Sequence, residues 1–311
     1  MTGGAGFLGY HLSKKLAEKH NVIIIDNFSR GKHDKDFSEL IEHPNVEFIQ
    51  LDMGTYKNFE KLDKDFDIIF HLAARNGTVA FYDTPYEVAR TNLLSLVHVL
   101  DWLGKEEINL KKFIWTSSSE TYAQTPNIPI PTPENVSLTI NDVFNPRLSY
   151  AGSKIMGEIL VTNYSRMYNL PFIILRPHNI FGERAGQDHV IPEMIQRIIS
   201  KENPFALFGG NETRSFCYVS DFVDGAILSA FVAEPNQIYN IGNPTETKII
   251  DLAYLMFELF NHHPKLKILP TLKGSTTRRC PDITKLSKLG YQPKVSLKEG
   301  LLKTYEWYSH A

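Results

Sequence analysis

Short apolar runs alternate with helical patterns through the first half of this 311-residue chain, and this alternation restricts its fold more than any other feature. Runs rich in β-branched and aromatic residues predict buried strands at residues 21–26, 46–50, 67–70, 112–115 and 172–175. The clearest helical patterns are residues 7–19, 85–103 and 150–168. Because strands and helices in this order build βαβ units, we predict an α/β fold with a Rossmann-type doubly wound parallel sheet.

The pattern changes near residue 177, where loops become longer and richer in proline and glycine. Helical patterns recur at residues 190–200, 220–233 and 249–260. We therefore predict a dinucleotide-binding domain over residues 1–176 and a smaller lobe over residues 177–311, whose chain crosses back to the sheet. Ligands of such sheets bind beyond the carboxyl ends of the strands, so the lobe is expected to cover that edge.

Three glycines at intervals of three residues, Gly3, Gly6 and Gly9, stand where the first helical pattern begins. Glycines in such a turn let the backbone approach a pyrophosphate, and the N-terminus of the helix presents unpaired N–H groups to it. A strand should precede the turn, yet only Met1 and Thr2 do so. We expect that the sequence begins inside this strand and that residues before Met1 are missing.

Carboxylates follow the next two predicted strands at positions that suit a dinucleotide. Asp26 can bridge the ribose hydroxyls, and because its charge repels a 2′-phosphate it favours NAD over NADP. Arg30 weakens this inference, since it can pair with a phosphate, and Asp52 can accept a hydrogen bond from adenine. The predicted cofactor site comprises Gly3, Gly6, Phe7, Leu8, Gly9, Asp26, Asn27, Arg30, Asp52, Met53, Leu72, Ala73, Ala74, Asn92, Tyr150 and Lys154.

Tyr150 and Lys154 are four residues apart, so on a helix they share a face. A lysine beside a tyrosine favours the phenolate and lowers the pKa of the tyrosine. Such a tyrosine can accept a proton from a sugar hydroxyl while a hydride leaves the same carbon, and Ser118 can orient that hydroxyl. Following a glycine-rich turn, these residues predict an NAD-dependent oxidoreductase.

The composition argues against several classes of partner. A net charge of −2 gives no basic surface for nucleic acid or anionic membranes. No apolar run reaches the length of a membrane span. Cys217 and Cys280 provide neither a disulfide framework nor a metal site, which fits a cytoplasmic protein. No metal is expected, because neither His178 nor His189 has a second ligand at a useful spacing.

Further motifs make this sequence resemble the extended short-chain dehydrogenase/reductases, the family of NAD-dependent nucleotide-sugar epimerases, dehydratases and decarboxylases. The matching segments are residues 2–9, 71–74, 116–122, 150–154, 176–182, 213–216, 218–221 and 279–282. The resemblance implies that Ser118, Tyr150 and Lys154 are the catalytic triad and that the substrate is a nucleotide sugar. It implies that this substrate is bound by Asn179, Val190, Arg214 and Arg279.

Members of this family first oxidise C4 of the sugar and differ in the step after that oxidation. Ser119 stands where the 4,6-dehydratases have an aspartic acid, which argues against dehydration, since serine cannot supply that proton at neutral pH. Ser119 and Glu120 instead resemble a pair in the UDP-glucuronate decarboxylases, where they would be catalytic, and Arg279 matches an arginine near the substrate carboxylate of those enzymes. Residues 122–123 and 183–186 depart from the decarboxylase pattern.

Residues 184–192 resemble a bacterial subgroup that modifies sugars for surface polysaccharide biosynthesis, in which C4 oxidation can be the last step, for example on GDP-activated heptoses. We therefore expect an enzyme that forms a 4-keto sugar, of the GDP-heptose or GDP-hexose 4-dehydrogenase type. UDP-glucuronate decarboxylation and 4-epimerisation stay open as alternatives. A catalytically silent NAD-binding sensor is disfavoured, because Tyr150 and Lys154 are both present. The family also implies a homodimer, formed as a four-helix bundle by residues 85–103 and 150–168 of each chain.

Overall fold

The computed structural model describes residues 1–62, 65–104, 110–271 and 276–310. The helices are α1 (Phe7–Ala17), α2 (Lys35–Ile41), α3 (Thr78–Asp83), α4 (Pro85–Leu103), α5 (Leu148–Tyr168), α6 (Val190–Ile199), α7 (Val219–Phe231), α8 (Ile249–Leu259), α9 (Thr284–Ser287) and α10 (Leu297–His310). The strands are β1 (Val22–Asp26), β2 (Val46–Gln50), β3 (Ile68–His71), β4 (Lys112–Thr116), β5 (Phe172–Pro177), β6 (Ile180–Phe181), β7 (Phe205–Phe208), β8 (Thr213–Ser215), β9 (Cys217–Tyr218), β10 (Gln237–Ile241), β11 (Glu246–Lys248), β12 (Leu266–Leu269) and β13 (Arg278–Arg279). Short 3₁₀ segments lie at Tyr56–Lys61 and Ser119–Tyr122.

A parallel sheet forms the centre of the molecule. Strands β10, β5, β4 and β3 pair in that order, and β1 pairs with β2. Thr2 joins the two groups, because it forms parallel bridges to both Ile25 and His71. Its N–H also donates to the Phe70 carbonyl at 2.9 Å. The doubly wound α/β sheet is therefore confirmed, and Met1 and Thr2 lie at the position of its central strand.

Both faces of the sheet are covered by helices, which explains why its strands are continuously apolar rather than alternating. On one face, Ile173 of β5 packs into a core with residues of α1 and α7, such as Leu12 and Phe222. On the other face, Ile174 packs with residues of α4 and α5, such as Val161. Consecutive residues of β5 therefore enter opposite cores, as the period of two in a strand requires.

The C-terminal lobe has its own core between α6, α8 and α10, around Ile195, Leu252 and Met256. Within the lobe, β8 pairs with both β11 and β13, which sets Arg214 beside Arg279. Strand β10 instead returns to the main sheet and pairs with β5. The predicted division into residues 1–176 and 177–311, with a chain that crosses back to the sheet, stays a prediction. Within the described ranges, none of the helices has the length and apolar character that a membrane span needs.

Candidate active site

A cavity of about 1030 Å³ opens at the carboxyl ends of β1 to β5, where the lobe meets the sheet. Loops after each of these strands contribute to its walls, as expected for a doubly wound sheet. Most of the predicted site residues line this one cavity: Gly3, Gly6, Phe7, Leu8, Gly9, Asp26, Asn27, Arg30, Asp52, Met53, Leu72, Ala73, Ala74, Ser118, Ser119, Glu120, Tyr150, Lys154, Asn179 and Arg279.

Three predicted residues are not among those that line the cavity. The Asn92 amide instead bonds to the backbone of Arg75, accepting from its N–H at 2.7 Å and donating to its carbonyl at 3.1 Å. Val190 is the first residue of α6 and is 38% exposed. Arg214 forms an ion pair with Glu212 at 2.9 Å. The Asn92 amide therefore holds the backbone of the loop after β3, and the cavity wall does not include Asn92, Val190 or Arg214. Their predicted contacts with cofactor and substrate stay predictions.

The glycine turn fits tightly between β1, β3 and the start of α1. Gly3 has a φ of +69°, and a Cβ there would lie 2.8 Å from the Ala73 nitrogen. A Cβ on Gly9 would lie 2.1 Å from the Gly3 carbonyl oxygen, so neither position can accept a side chain without movement. The residue before α1 is Gly6, whose lack of a side-chain cap leaves the first-turn N–H groups available. These features fit the pyrophosphate of a dinucleotide.

Asp26 is buried beside this turn and holds its shape. Its Oδ2 accepts from the Ala5 N–H at 3.0 Å, and its Oδ1 accepts from the Phe28 N–H at 2.8 Å. Burial raises the pKa of Asp26, although the backbone donors act in the opposite direction. The carboxylate thus connects the glycine turn to the loop after β1 while it remains at the cavity wall.

Tyr150 and Lys154 lie on α5 with their side chains buried against β4 and α3. The Tyr150 ring stacks on Phe81, with 5.1 Å between ring centroids. The Lys154 ammonium donates to the Thr116 carbonyl at 2.7 Å and lies 5.7 Å from the centroid of the Tyr150 ring. Ser118 follows β4, and its hydroxyl accepts from the Glu120 N–H at 3.2 Å. The predicted triad therefore occupies one wall of the cavity.

The pKa of Tyr150 differs from the sequence-based prediction. Burial raises the pKa of Tyr150, and hydrogen bonding by Ser118 and Asn76 together with the charge of Arg30 reduces this rise without reversing it. The predicted net lowering of the pKa of Tyr150 is therefore wrong, because burial outweighs the groups that favour the phenolate. The Lys154 amine donates to the Thr116 carbonyl. Burial also lowers the pKa of Lys154 to about 7.

Glu120 lies between two arginines at the cavity wall. Arg279 Nη1 donates to its Oε1 at 2.9 Å, and Arg147 Nη2 lies 3.8 Å from the same oxygen. Burial opposes ionisation of Glu120, but Arg279, Arg147 and Arg214 outweigh it and hold its pKa below the ordinary value. Glu120 is therefore a stable carboxylate at neutral pH, and it is a poor proton donor.

Several residues that line the cavity were not predicted from the sequence, among them Asn76, Phe81 and Arg147. Arg147 directly precedes α5 and stands three residues before Tyr150 in the sequence. This short separation could have indicated that Arg147 lies near the triad. Asn76 gave no such signal, because only the fold brings it to the Arg30 guanidinium, from which its Oδ1 accepts a hydrogen bond. Arg30 thus extends toward the loop after β3.

Comparisons with known proteins agree with this geometry. Residues 1–242 match the model of the NAD dependent epimerase/dehydratase family. The chain is 34% identical over 306 residues to UDP-glucuronic acid decarboxylase 5 of Arabidopsis thaliana, with 97% of this chain and 86% of that protein covered. It is 32% identical to UDP-N-acetyl-α-D-glucosaminuronate decarboxylase of Bacillus cytotoxicus, with 99% and 96% covered.

Among solved structures, the UDP-glucose 4-epimerase of Thermotoga maritima with UDP-glucose superposes with a TM-score of 0.88 at 29% identity, and 99% of this chain and 97% of that chain are covered. The family match includes the glycine turn and the residues of the triad. The chain therefore belongs to the NAD-dependent epimerase/dehydratase family of enzymes, within the extended short-chain dehydrogenase/reductases.

Proposed function

We propose that this enzyme binds NAD and oxidises C4 of a nucleotide-diphosphate sugar to give a 4-keto sugar. The observation that carries the proposal is that Ser118, Tyr150 and Lys154 line the same cavity as the glycine turn. Tyr150 can then accept the proton of the C4 hydroxyl while the cofactor accepts the hydride from C4. A similar structure supports the cofactor, since the UDP-glucuronic acid 4-epimerase of Bacillus cereus, at 26% identity and a TM-score of 0.87, was solved with NAD.

The residues that would hold NAD are those of the turn and of the loops after β1, β2 and β3. The first-turn N–H groups of α1 suit the pyrophosphate, and Asp26 and Asp52 suit the adenosine half. When bound, NAD supplies the acceptor for the hydride from C4. Phe81 and Tyr150 stack beside the reacting position and help to exclude water from it.

Each residue of the triad has a separate task in this mechanism. Tyr150, in its phenolate form, accepts the proton of the C4 hydroxyl and becomes a neutral phenol while the hydride leaves C4. Ser118 holds the C4 hydroxyl in line with Tyr150 by a hydrogen bond. Lys154, as an ammonium, stabilises the phenolate of Tyr150 before the transfer, and this negative charge is lost when the phenolate takes up the proton. The rise in the pKa of Tyr150 caused by burial makes that charge costly, so the ammonium is needed.

The surroundings of Glu120 favour release of the 4-keto sugar without a further step. Glu120 is held as a carboxylate, so it cannot protonate a leaving hydroxyl as dehydration requires. Arg279 is already paired with Glu120, which favours a neutral sugar over a uronate. The proposal extends to a GDP-heptose or GDP-hexose as substrate, and to surface polysaccharide biosynthesis in the cytoplasm as its setting.

Decarboxylation of UDP-glucuronate is the second candidate. Arg147 and Arg279 flank the single carboxylate of Glu120, so this part of the wall carries a positive charge in excess. A uronate carboxylate would be attracted to that charge. The relatives named as decarboxylases give the same candidate additional support.

Product mass distinguishes the candidates. The protein and NAD are incubated separately with UDP-glucuronate, with UDP-, GDP- and dTDP-hexoses and with a GDP-heptose, and reactions without NAD serve as controls. We expect one of the hexose or heptose substrates to lose two hydrogens. Loss of carbon dioxide from UDP-glucuronate would establish the decarboxylase instead, and a product of unchanged mass but inverted C4 would establish an epimerase.

We also propose a homodimer through α4 and α5. An apolar groove runs between these helices on the surface, lined by Leu100, Leu160 and Met167. Ile159 and Met167 of α5 are 47% and 68% exposed, which is high for large apolar side chains. A second copy of the same pair of helices would cover both residues in a four-helix arrangement.

A further inference from the structure

A buried carboxylate lies behind the catalytic wall, one helical turn after Lys154. Glu158 of α5 is only 5% exposed. Its Oε1 accepts from the Ser117 hydroxyl at 2.6 Å and from Arg176 Nε at 2.8 Å. Its Oε2 accepts from Arg176 Nη2 at 2.5 Å. Both oxygens are therefore satisfied, and each donor belongs to a strand or strand end that carries the active site.

The same cluster continues into the lobe. Arg176 Nη1 donates to the Tyr122 hydroxyl at 2.6 Å, and Tyr122 donates to Asn240 Oδ1 at 2.9 Å. Asn240 Nδ2 donates to the carbonyls of Thr132 and Asp282 at 2.9 and 3.1 Å. Glu158 thus lies at the catalytic end of a buried polar chain that reaches the segment following β13.

A buried ion pair is weak evidence for stability alone, because well-packed apolar residues often do as well or better in its place. The location of Glu158 offers a further reason for a carboxylate here. Ser117 directly precedes Ser118, so a bond to the Ser117 side chain fixes the backbone that presents the Ser118 hydroxyl. Lys154 lies four residues before Glu158 and so shares its helix face.

We infer that Glu158 is a positioning residue for the active site, which fixes Ser118 through Ser117 and keeps Lys154 in its ammonium form. This inference rests on the proposed function, since it assigns Glu158 a task in the same proton transfer. One carboxylate performs both tasks. It accepts a hydrogen bond from Ser117 at the end of β4, and it lies one helical turn after Lys154 on α5. Glu158 itself lies outside the cavity wall and contacts no reacting atom.

The charges around Lys154 agree with this role. Burial lowers the pKa of Lys154 to about 7, and Glu158 acts against that loss. Tyr150 faces Lys154 from the same helix, and His71 faces it from β3, where burial lowers the pKa of His71 to about 3. Arg176 and Tyr122 lie on the other side of Glu158. Among these groups, Glu158 is the one carboxylate.

The direction of the expected change is set by these charges. Replacing Glu158 by glutamine removes an anion that favours the charged lysine, so Lys154 should lose its proton at a lower pH. The alkaline limb of the pH profile of kcat should move in the acidic direction with it. A residue that only supported the fold would lower the melting temperature and kcat but would leave the position of this limb unchanged.

The test is an NMR titration of the enzyme with NAD, using lysine labelled at Nζ and Cε, in which Lys154→Met identifies the Lys154 signal. We expect Glu158→Gln to lower the pKa of Lys154 by about one unit, and Glu158→Asp, which keeps the charge, to restore most of it. An unchanged Lys154 pKa in a folded Glu158→Gln protein would overturn the inference.

Glu158→Gln leaves Arg176 charged and unpaired, which can prevent folding. The double variant Glu158→Gln/Arg176→Met removes both charges and should still lower the pKa of Lys154, but by less than Glu158→Gln does, because loss of the Arg176 cation acts in the opposite direction. A pKa of Lys154 that is not lowered there would also overturn the inference. The titration needs no sugar substrate. If the wild-type protein produces no 4-keto sugar while the Lys154 signal shifts as expected, the proposed function fails and the placement of Glu158 stands.

Discussion

Tyr150 lies in surroundings that oppose the charge its proposed task requires. Its ring is 7% exposed and stacked on Phe81, and burial raises its pKa. Hydrogen bonding by Ser118 and Asn76 acts in the opposite direction. These polar groups come from separate loops and partly offset the effect of burial on the phenolate. The reactivity of Tyr150 therefore depends on the residues that surround it in the cavity wall.

Tyr150→Phe removes the proton acceptor and leaves the ring stacking in place. We expect kcat to fall by roughly 10²- to 10⁴-fold, the usual contribution of a general base, while the affinity for NAD measured by calorimetry stays near that of the wild type. Tyr82→Phe is the matched control, because Tyr82 lies on α3 and is 45% exposed. Near-normal turnover of Tyr150→Phe would remove Tyr150 from the mechanism.

The pair of helices α4 and α5 has two faces with different environments. One face packs on the sheet through residues such as Leu96 and Val161, which are buried. The opposite face of α5 exposes Met156, Ile159 and Met167. Exposed apolar side chains in a contiguous groove are typical of a surface that another protein covers, which is the basis of the proposed homodimer.

Ile159→Glu places a charge in the centre of the proposed helix interface. We expect the wild type to sediment as a dimer at micromolar concentration and this variant to sediment as a monomer, because the carboxylate would be buried without a partner. Ile268→Glu provides the control, since Ile268 lies on β12 and is also exposed, at 58%. A wild-type protein that sediments as a monomer would defeat the proposal.

Local pattern was sufficient for some elements and insufficient for others. The strand predicted at residues 46–50 and the helix predicted at residues 85–103 have the observed bounds. The six-residue helix α3 was not predicted, because it is too short for a clear hydrophobic period. The two-residue strands β6, β9 and β13 depend on pairing with distant segments, which local sequence does not encode.

Two histidines in the interior link the stability of the whole molecule to pH. His71 is 1% exposed and His178 is 0% exposed, and burial lowers the pKa of each to about 3. In the unfolded chain each has a pKa of about 6.5. Between these values the unfolded chain binds more protons than the folded one, so the free energy of unfolding decreases as the pH falls from about 6.5 toward 3.

His178→Gln removes one of these titrating groups. The free energy of unfolding, measured by urea denaturation between pH 4 and 6, should depend less steeply on pH than in the wild type, by about 1.4 kcal/mol per pH unit. His263→Gln, at an exposed position, should leave the slope unchanged. An unaltered slope in His178→Gln would mean that His178 takes up its proton in the folded state.

The sequence predicted most of the candidate site, because motifs at strand ends converge once the doubly wound sheet forms. Gly3, Asp26 and Tyr150 all reach one cavity for this reason. Other details of the site could not be predicted from local sequence. The bond of the Asn92 amide to Arg75 and the contact of Arg30 with Asn76 both depend on how distant segments meet in the fold.

Transfer of the hydrogen at C4 is the central claim, and an isotope measures it most directly. The panel of nucleotide sugars is prepared with deuterium at C4 and incubated with the enzyme and NAD, and the masses of the sugar and of the nicotinamide are followed. We predict that deuterium appears on the nicotinamide as the 4-keto sugar forms, and that Tyr150→Phe prevents both changes. A converted sugar that keeps its deuterium at C4, with none on the nicotinamide at any time, would contradict the mechanism.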